Sequence, residues 1–227
     1  MFQPKNILIV AAHPDDEILG CGGAIARLVR EGARAVTLIL GEGITSRNGD
    51  EKSTKSALKE LREQAVEANR RVGVDEVIFR GLPDNRFDTI PLLKIVKEIE
   101  GVMARLRPDL ILTHHGGDLN IDHQITHQAV LTAARPLPGA SVRAIFAFEV
   151  LSSTEWSPGP VPFSPNLYVD VSETLRMKVE AMEAYAGEIR AFPHPRSRRG
   201  IEALAARRGA EVGVGAAEAF DLVRGIL

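Results

Sequence analysis

The residues of this chain that can do chemistry are concentrated where one apolar segment ends. Residues 7–12 are uniformly apolar, and His13, Asp15 and Asp16 follow directly. An unbroken apolar run is typical of a strand buried on both faces, and ligands of open α/β sheets collect where such strands end. One imidazole and two adjacent carboxylates suffice for two metal ligands and a base, since His13 and Asp16 lie on one tight turn.

A catalytic zinc site needs a third protein ligand, and several histidines compete for that role. They follow another apolar segment, residues 110–113, and are His114, His115, His123 and His127. Spacing alone leaves the choice open, because His123 and His127 also have the i, i+4 spacing of a helical metal site.

Two motifs resemble the signatures of the LmbE-like, or PIG-L, family of zinc-dependent N-acetylglucosaminyl deacetylases. They are residues 12–17 (AHPDDE) and residues 118–123 (DLNIDH), and residues 191–197 (AFPHPRS) resemble a C-terminal segment of one bacterial branch. The resemblance implies one domain over residues 1–227. It also implies a hydrolase that removes an N-acetyl group from a small GlcNAc-type sugar conjugate by means of a zinc-activated water.

The resemblance also implies roles for single residues. His13, Asp16 and His123 are expected to bind the metal, with Asp15 as general base. The expected ion is zinc, although His/Asp ligation also admits Fe(II) or Co. Asp122 is expected either to orient a histidine ligand or to cap the following helix.

At one catalytic position the chain departs from the family pattern. Many members have a histidine three residues before the last histidine of the second motif, whereas this chain has Asn120. Asparagine donates a hydrogen bond but delivers no proton at neutral pH. We therefore expect one of two arrangements. Either Asn120 serves only as a hydrogen-bond donor to the oxyanion, or another histidine substitutes as the acid, with His194 as first choice and His114 as second.

Four polar residues are expected to contact the substrate. The resemblance implies Arg62, while Asp84 and Arg86 follow the predicted third strand and Arg196 lies beside His194. An exposed position in solvent is the alternative for the arginines. Trp156 is expected to be a buried anchor of the Ser- and Pro-rich segment 151–165.

Alternation of apolar strands with helical patterns predicts an α/β fold. We expect a Rossmann-like, doubly wound, mostly parallel sheet with helices on both faces. The predicted strands are residues 7–12, 35–40, 76–79, 110–113, 142–148 and 167–169. The predicted helices are residues 18–30, 52–72, 122–134, 172–188 and 201–207, and one from a cap at Asp88 to Leu106.

Bulk composition excludes several classes of protein. The formal net charge is −2, which argues against a nucleic-acid partner. The one cysteine, Cys21, is expected to be a buried packing residue, and residues 7–12 are too short for a membrane span or a secretory segment. A cytoplasmic protein is therefore expected, and the resemblance implies a homo-oligomer, either a trimer or a hexamer.

Two other functions compete with sugar deacetylation. One is an amidase of the same mechanism that acts on a non-sugar amide. The other is a non-catalytic module that binds a sugar or a nucleotide, since fold alone does not fix function. The intact set of His13, Asp15, Asp16 and His123 argues against a non-catalytic module.

Overall fold

A single seven-stranded sheet organises the chain. The computed structural model describes residues 3–45, 51–157 and 159–226. In those residues the strands are β1 (Asn6–Ala11), β2 (Arg34–Gly41), β3 (Glu76–Leu82), β4 (Leu110–His114), β5 (Ala144–Phe148), β6 (Leu167–Asp170) and β7 (Ala217–Gly225). The helices are α1 (Asp16–Arg30), α2 (Glu51–Arg71), α3 (Leu92–Leu106), α4 (Ile121–Ala133), α5 (Leu175–Met182) and α6 (Arg198–Val212).

The strand order is β3-β2-β1-β4-β5-β7-β6, and the first five strands are all parallel. β7 pairs antiparallel with both β5 and β6. The expected α/β, mostly parallel fold is confirmed. The insertion of the last strand between β5 and β6 was not predicted.

Helices cover both faces of the sheet, as alternate residues of β1 show. Ile7 and Ile9 pack into a core with helices α1, α2 and α5. Leu8 and Val10 pack into the opposite core with helices α3 and α4. Because both faces of β1 are buried, this strand reads as one continuous apolar run in the sequence.

Helix α1 is interrupted at Cys21, whose backbone (φ −147°, ψ 19°) is not helical. Gly20 lies against the ring of Phe148, since a Cβ at this position would be only 2.2 Å from Phe148 Cδ2. Cys21 is fully buried, as expected. The glycines of this segment therefore serve close packing of α1 against the sheet.

Helix α3 begins later than predicted, at Leu92. Asp88 does not cap it and lies in a short 3₁₀ turn, Phe87–Thr89. The physical reason is Pro91, which forces the preceding residue out of helical geometry, and Ile90 is indeed extended (φ −106°, ψ 131°).

Two other segments differ from the predictions or lie outside the structure. Helix α5 ends at Met182, well before the predicted residue 188. The polar, glycine-containing composition of residues 41–51 predicts a loop, and residues 46–50 of this segment lie outside the described residues. Among the helices that the structure describes, none has the length and apolar character needed to cross a membrane.

Candidate functional site

The first motif, residues 12–17, lies where the carboxyl ends of β1 and β4 meet. These two strands are parallel neighbours, so the loop after β1 and the start of α4 share one edge of the sheet. This brings together one donor atom each of His13, Asp16 and His123, all within 4.8 Å of one another. All three side chains are buried.

Asp16 lies at the centre of this group. Its Oδ2 accepts a hydrogen bond from the backbone N–H of His13 at 2.8 Å and lies 3.3 Å from His123 Nε2. Burial alone would raise the pKa of Asp16, but the charge of His123 and the other histidine contacts hold it well below its usual range. The carboxylate is therefore ionised and available as a ligand.

Asp118 fixes the opposite side of the His123 ring. Its Oδ1 lies 3.1 Å from His123 Nδ1, which leaves Nε2 directed at Asp16. The hydroxyls of Ser153 and Thr154 donate to Asp118 as well. Burial would raise the pKa of Asp118, but the close His123 ring and these hydroxyl donors lower it to about 2.

Asp122 orients the other histidine, His13. Its Oδ2 lies 2.9 Å from His13 Nε2, and its two oxygens accept hydrogen bonds from the backbone N–H groups of Asn85 and Phe87. Burial lowers the pKa of His13, but the hydrogen bonds with Asp122 and Asp16 outweigh it and raise the pKa to about 10.

A second group of possible metal ligands shares His13 with the group that contains Asp16 and His123. His13, Asp84 and Asp122 also lie within 4.8 Å of one another. Both oxygens of Asp122 already accept backbone N–H groups, so this carboxylate is committed to the 85–87 loop. The set with His123 therefore suits a metal better, since two imidazoles and one carboxylate are typical ligands of zinc.

Asp15 lies beside the metal-ligand candidates and has an unusual backbone conformation. Its φ is +103°, which is rare for a residue other than glycine. Its N–H donates to Glu17 Oε2 at 3.1 Å, and its Oδ2 accepts from Arg196 Nη1 at 2.6 Å. Burial raises the pKa of Asp15 well above its usual value, although the charge of Arg196 opposes the rise.

A polar cleft of about 150 Å³ opens onto these groups. Its lining includes the three metal-ligand candidates, Asp15 and nine further residues: Pro14, Gly43, Asp84, Asn85, Asn120, Ser152, Ser153, Glu188 and Arg196. Asn120 caps α4, because its Oδ1 accepts from the backbone N–H of Asp122. Its Nδ2 donates to Asn85 Oδ1 at 3.2 Å.

The competing histidines have other partners. His114 Nε2 accepts the backbone N–H of Ala12 at 2.9 Å. Burial and the charge of His123 lower the pKa of His114 well below its usual value. His115 Nδ1 lies 2.7 Å from Asp221, and His127 Nδ1 donates to the carbonyl of His114.

Three residues predicted from sequence are not among those that line the cleft. Arg62 lies over the ring of Phe79, and Arg86 is exposed. His194 Nδ1 accepts the backbone N–H of Arg196, and its ring contacts Trp156 edge to face. The expectation of a buried Trp156 is wrong, since this side chain is 51% exposed.

A family comparison agrees with this geometry. Residues 8–134 match the family model described as PIG-L: GlcNAc-PI de-N-acetylase. This chain belongs to the PIG-L family. The match contains both motifs, and deacetylases of the PIG-L family are metal-dependent.

Individual relatives extend the PIG-L comparison over most of the chain. A 1D-myo-inositol 2-acetamido-2-deoxy-alpha-D-glucopyranoside deacetylase from Mycobacterium sp. (strain JLS) is 30% identical, over 85% of this chain and 77% of that protein. N,N'-diacetylchitobiose deacetylase from Pyrococcus horikoshii has the same fold (TM-score 0.80, 18% identity, 98% of this chain and 85% of that one). So does GalB, a 4-carboxy-2-hydroxymuconate hydratase from Pseudomonas putida KT2440 (TM-score 0.78, 21% identity, 98% of each chain).

Two features of this PIG-L site were not assigned from the sequence. Asp118 is the first residue of the second motif, and its position there could have predicted its contact with His123. Glu17 ends the first motif, and its Oε1 accepts hydrogen bonds from Tyr185 and Asn69, two distant residues that no spacing rule connects to it.

Proposed function

We propose that this chain is a metal-dependent N-deacetylase that acts on small N-acetylated amino-sugar conjugates. The observation that carries the proposal is the convergence of three buried donor atoms beside the carboxylate of Asp15. A cleft that presents metal ligands next to a base is what hydrolysis of an amide requires.

His13, Asp16 and His123 are the proposed metal ligands. Zinc is the proposed ion, and Fe(II) or Co suits the same donors. The donor set fits because Asp118 and Asp122 orient the two imidazoles, as carboxylates commonly do for histidine ligands. A divalent cation supplies Lewis acidity at such a site, which activates a water and polarises the amide carbonyl.

Asp15 is the proposed general base. Its carboxylate lines the cleft but is not part of the ligand set, so it is free to accept a proton from water and return it to the leaving amine. Asn120 is the proposed hydrogen-bond donor to the oxyanion, through the Nδ2 that now donates to Asn85. Since His194 does not line the cleft, we assign the return of the proton to Asp15.

The cleft size and charge favour a particular part of the substrate. A volume of about 150 Å³ accommodates an acetamido group with part of a sugar ring, and not a whole oligosaccharide. Asp84 and Asn85 offer polar partners for sugar hydroxyls. Asp15, Asp16, Asp84 and Glu188 all line the cleft, so we propose a substrate that is uncharged at its reacting end.

Two finer proposals concern assembly and location. We propose a homo-oligomer, either a trimer or a hexamer, which light scattering of the purified protein would test. We also propose a cytoplasmic location and no nucleic-acid or membrane partner.

The test combines metal content with acetate release. Wild type, His123→Ala and Asp15→Asn would be assayed on N-acetylglucosamine conjugates and on non-sugar N-acetyl amides, after loading with Zn²⁺, Fe²⁺ or Co²⁺. We expect His123→Ala to lose the metal, and Asp15→Asn to keep it while losing on the order of 10²- to 10⁴-fold in rate. Asp88→Asn, an exposed carboxylate, is the matched control.

Three outcomes would count against the proposal. Full activity of Asp15→Asn would remove the general base. Hydrolysis of the non-sugar amides alone would identify an amidase. Metal binding without turnover of any substrate would favour a binding module.

A further inference from the structure

The guanidinium of Arg196 is held in the cleft by three side chains. Its Nη1 donates to Asp15 Oδ2 at 2.6 Å and lies 3.4 Å from Glu188 Oε2, while its Nε donates to Ser152 Oγ at 2.6 Å. Short contacts between a guanidinium and a carboxylate are among the stronger hydrogen bonds in proteins. The arginine is therefore oriented before any substrate binds.

The partners of Arg196 are themselves fixed. Glu188 is 4% exposed. The backbone N–H of Ser152 donates to Glu155 Oε1 at 2.6 Å, in a turn where Ser152 has a φ of +65°. Fixed partners at Nε and Nη1 thus hold the guanidinium against Asp15.

Asp15 needs such an anchor because of its own backbone. A φ of +103° is strained for a residue with a Cβ, and surrounding contacts must hold a residue in this conformation. The N–H of Asp15 is held by Glu17, and its Oδ2 by Arg196. The backbone N–H is thus tied to a residue two positions along the chain, and the carboxylate to a residue far away in the sequence.

The same contacts argue against a role for Arg196 in binding an anionic substrate group. Nη1 faces two carboxylates and Nε faces a hydroxyl, so an anion that binds at either nitrogen would have to displace these partners. Asp16 and Asp84 also line the cleft and would repel an anion. Among the described residues that line the cleft, Arg196 is the one arginine or lysine.

We propose that Arg196 is a positioning residue that aims the Asp15 carboxylate into the cleft. This inference rests on the proposed function, in which Asp15 takes a proton from water. It replaces the expectation that Arg196 binds substrate. The role depends on the planar guanidinium, because only this group reaches Asp15 and Ser152 together through separate N–H donors.

The test measures kcat and KM separately for wild type, Arg196→Ala, Arg196→Lys and Arg199→Ala, each with its metal content and Tm. We expect Arg196→Ala to lose about 100-fold in kcat, the low end of what a positioned base contributes, with KM and metal content unchanged. Millimolar guanidinium chloride should restore at least about 10-fold of this loss, because a free guanidinium can occupy the vacated position next to Asp15.

Arg199→Ala is the matched control. Arg199 is exposed, lies in the same segment and stacks on Phe192 instead of entering the cleft. We expect wild-type kinetics from it, with no response to guanidinium. Arg196→Lys should fall between wild type and Arg196→Ala, since an ammonium supplies charge without the second N–H direction.

The results separate failure of this inference from failure of the proposed function. If wild type hydrolyses none of the N-acetyl substrates, the proposed function fails and this inference with it. If wild type is active, a raised KM with unchanged kcat in Arg196→Ala would make Arg196 a substrate-binding residue. A loss of kcat that guanidinium does not restore would reduce Arg196 to a structural role. Either result overturns the inference.

Discussion

Asp118 holds His123 by the ring nitrogen that faces away from the metal-ligand candidates, with Oδ1 3.1 Å from Nδ1. A carboxylate in this position fixes the tautomer and the plane of a histidine ligand. We expect Asp118→Asn to weaken zinc affinity by about 10- to 100-fold, the usual cost of losing such a partner. Competition with a chromophoric chelator would measure the change.

The control for this prediction is Asp88→Asn, which makes the same change at an exposed position. Its zinc affinity should equal that of wild type. Unchanged affinity in Asp118→Asn would show that the negative charge of Asp118 is not needed to hold His123 as a ligand.

Local patterns made part of this architecture predictable. Residues 7–12 were predicted as a strand and form β1, Asn6–Ala11, because burial on both faces leaves an unbroken apolar run. The metal-ligand candidates could also be selected from the sequence, because each belongs to a short motif. Helix α1 was predicted from its helical pattern of apolar residues, but its break at Cys21 and the close approach of Gly20 to Phe148 were not.

Non-local pairings were not predictable in this way. β7 lies between β5 and β6, although β6 precedes it in the chain, and nothing in residues 217–225 specifies these neighbours. The contact between Arg196 and Asp15 joins two motifs far apart in the sequence. No spacing rule relates such residues, because their separation reflects the whole fold between them.

Tyr185 supports the first motif through Glu17. Its hydroxyl donates to Glu17 Oε1 at 2.5 Å, and its ring is fully buried. We expect Tyr185→Phe to lower the free energy of unfolding by about 1–3 kcal/mol, since it removes a donor from a buried carboxyl group and leaves the packing intact. Urea denaturation would measure the loss.

Tyr168→Phe is the matched control for that prediction. The Tyr168 hydroxyl donates to Glu211 at 3.0 Å at an exposed site. We expect a change within about 0.5 kcal/mol there. Equal losses in the two variants would show that burial of the Glu17 contact contributes nothing.

Two helical glycines should respond in opposite directions to the same substitution. A Cβ on Gly20 would lie 2.2 Å from Phe148 Cδ2, whereas a Cβ on the exposed Gly101 would meet no atom within 4 Å. We expect Gly20→Ala to destabilise by about 1–3 kcal/mol through overpacking. Gly101→Ala should stabilise by up to about 1 kcal/mol through helix propensity. The urea midpoints of the two variants would measure these opposite changes in stability. A Gly20→Ala variant more stable than wild type would contradict the close approach of α1 to β5.

The break in α1 is held by a buried ion pair. Glu218 accepts the N–H groups of Gly23 and Ala24, and Lys178 Nζ donates to the carbonyl of Leu19. These are backbone groups that the break at Cys21 deprives of helical partners. Lys178 Nζ and Glu218 Oε1 are 2.6 Å apart, and both residues are nearly fully buried.

We expect Lys178→Met to destabilise by about 3–5 kcal/mol, because it leaves the carboxylate of Glu218 buried without its counter-charge. Adding Glu218→Gln to Lys178→Met should recover part of that loss. The amide oxygen still accepts a backbone N–H, and no unpaired charge remains. The double variant must therefore unfold at a higher urea concentration than Lys178→Met alone. If the double variant unfolded at a lower urea concentration than Lys178→Met, the hydrogen bonds from the two backbone N–H groups to the Glu218 carboxylate would matter more than removal of its unpaired charge.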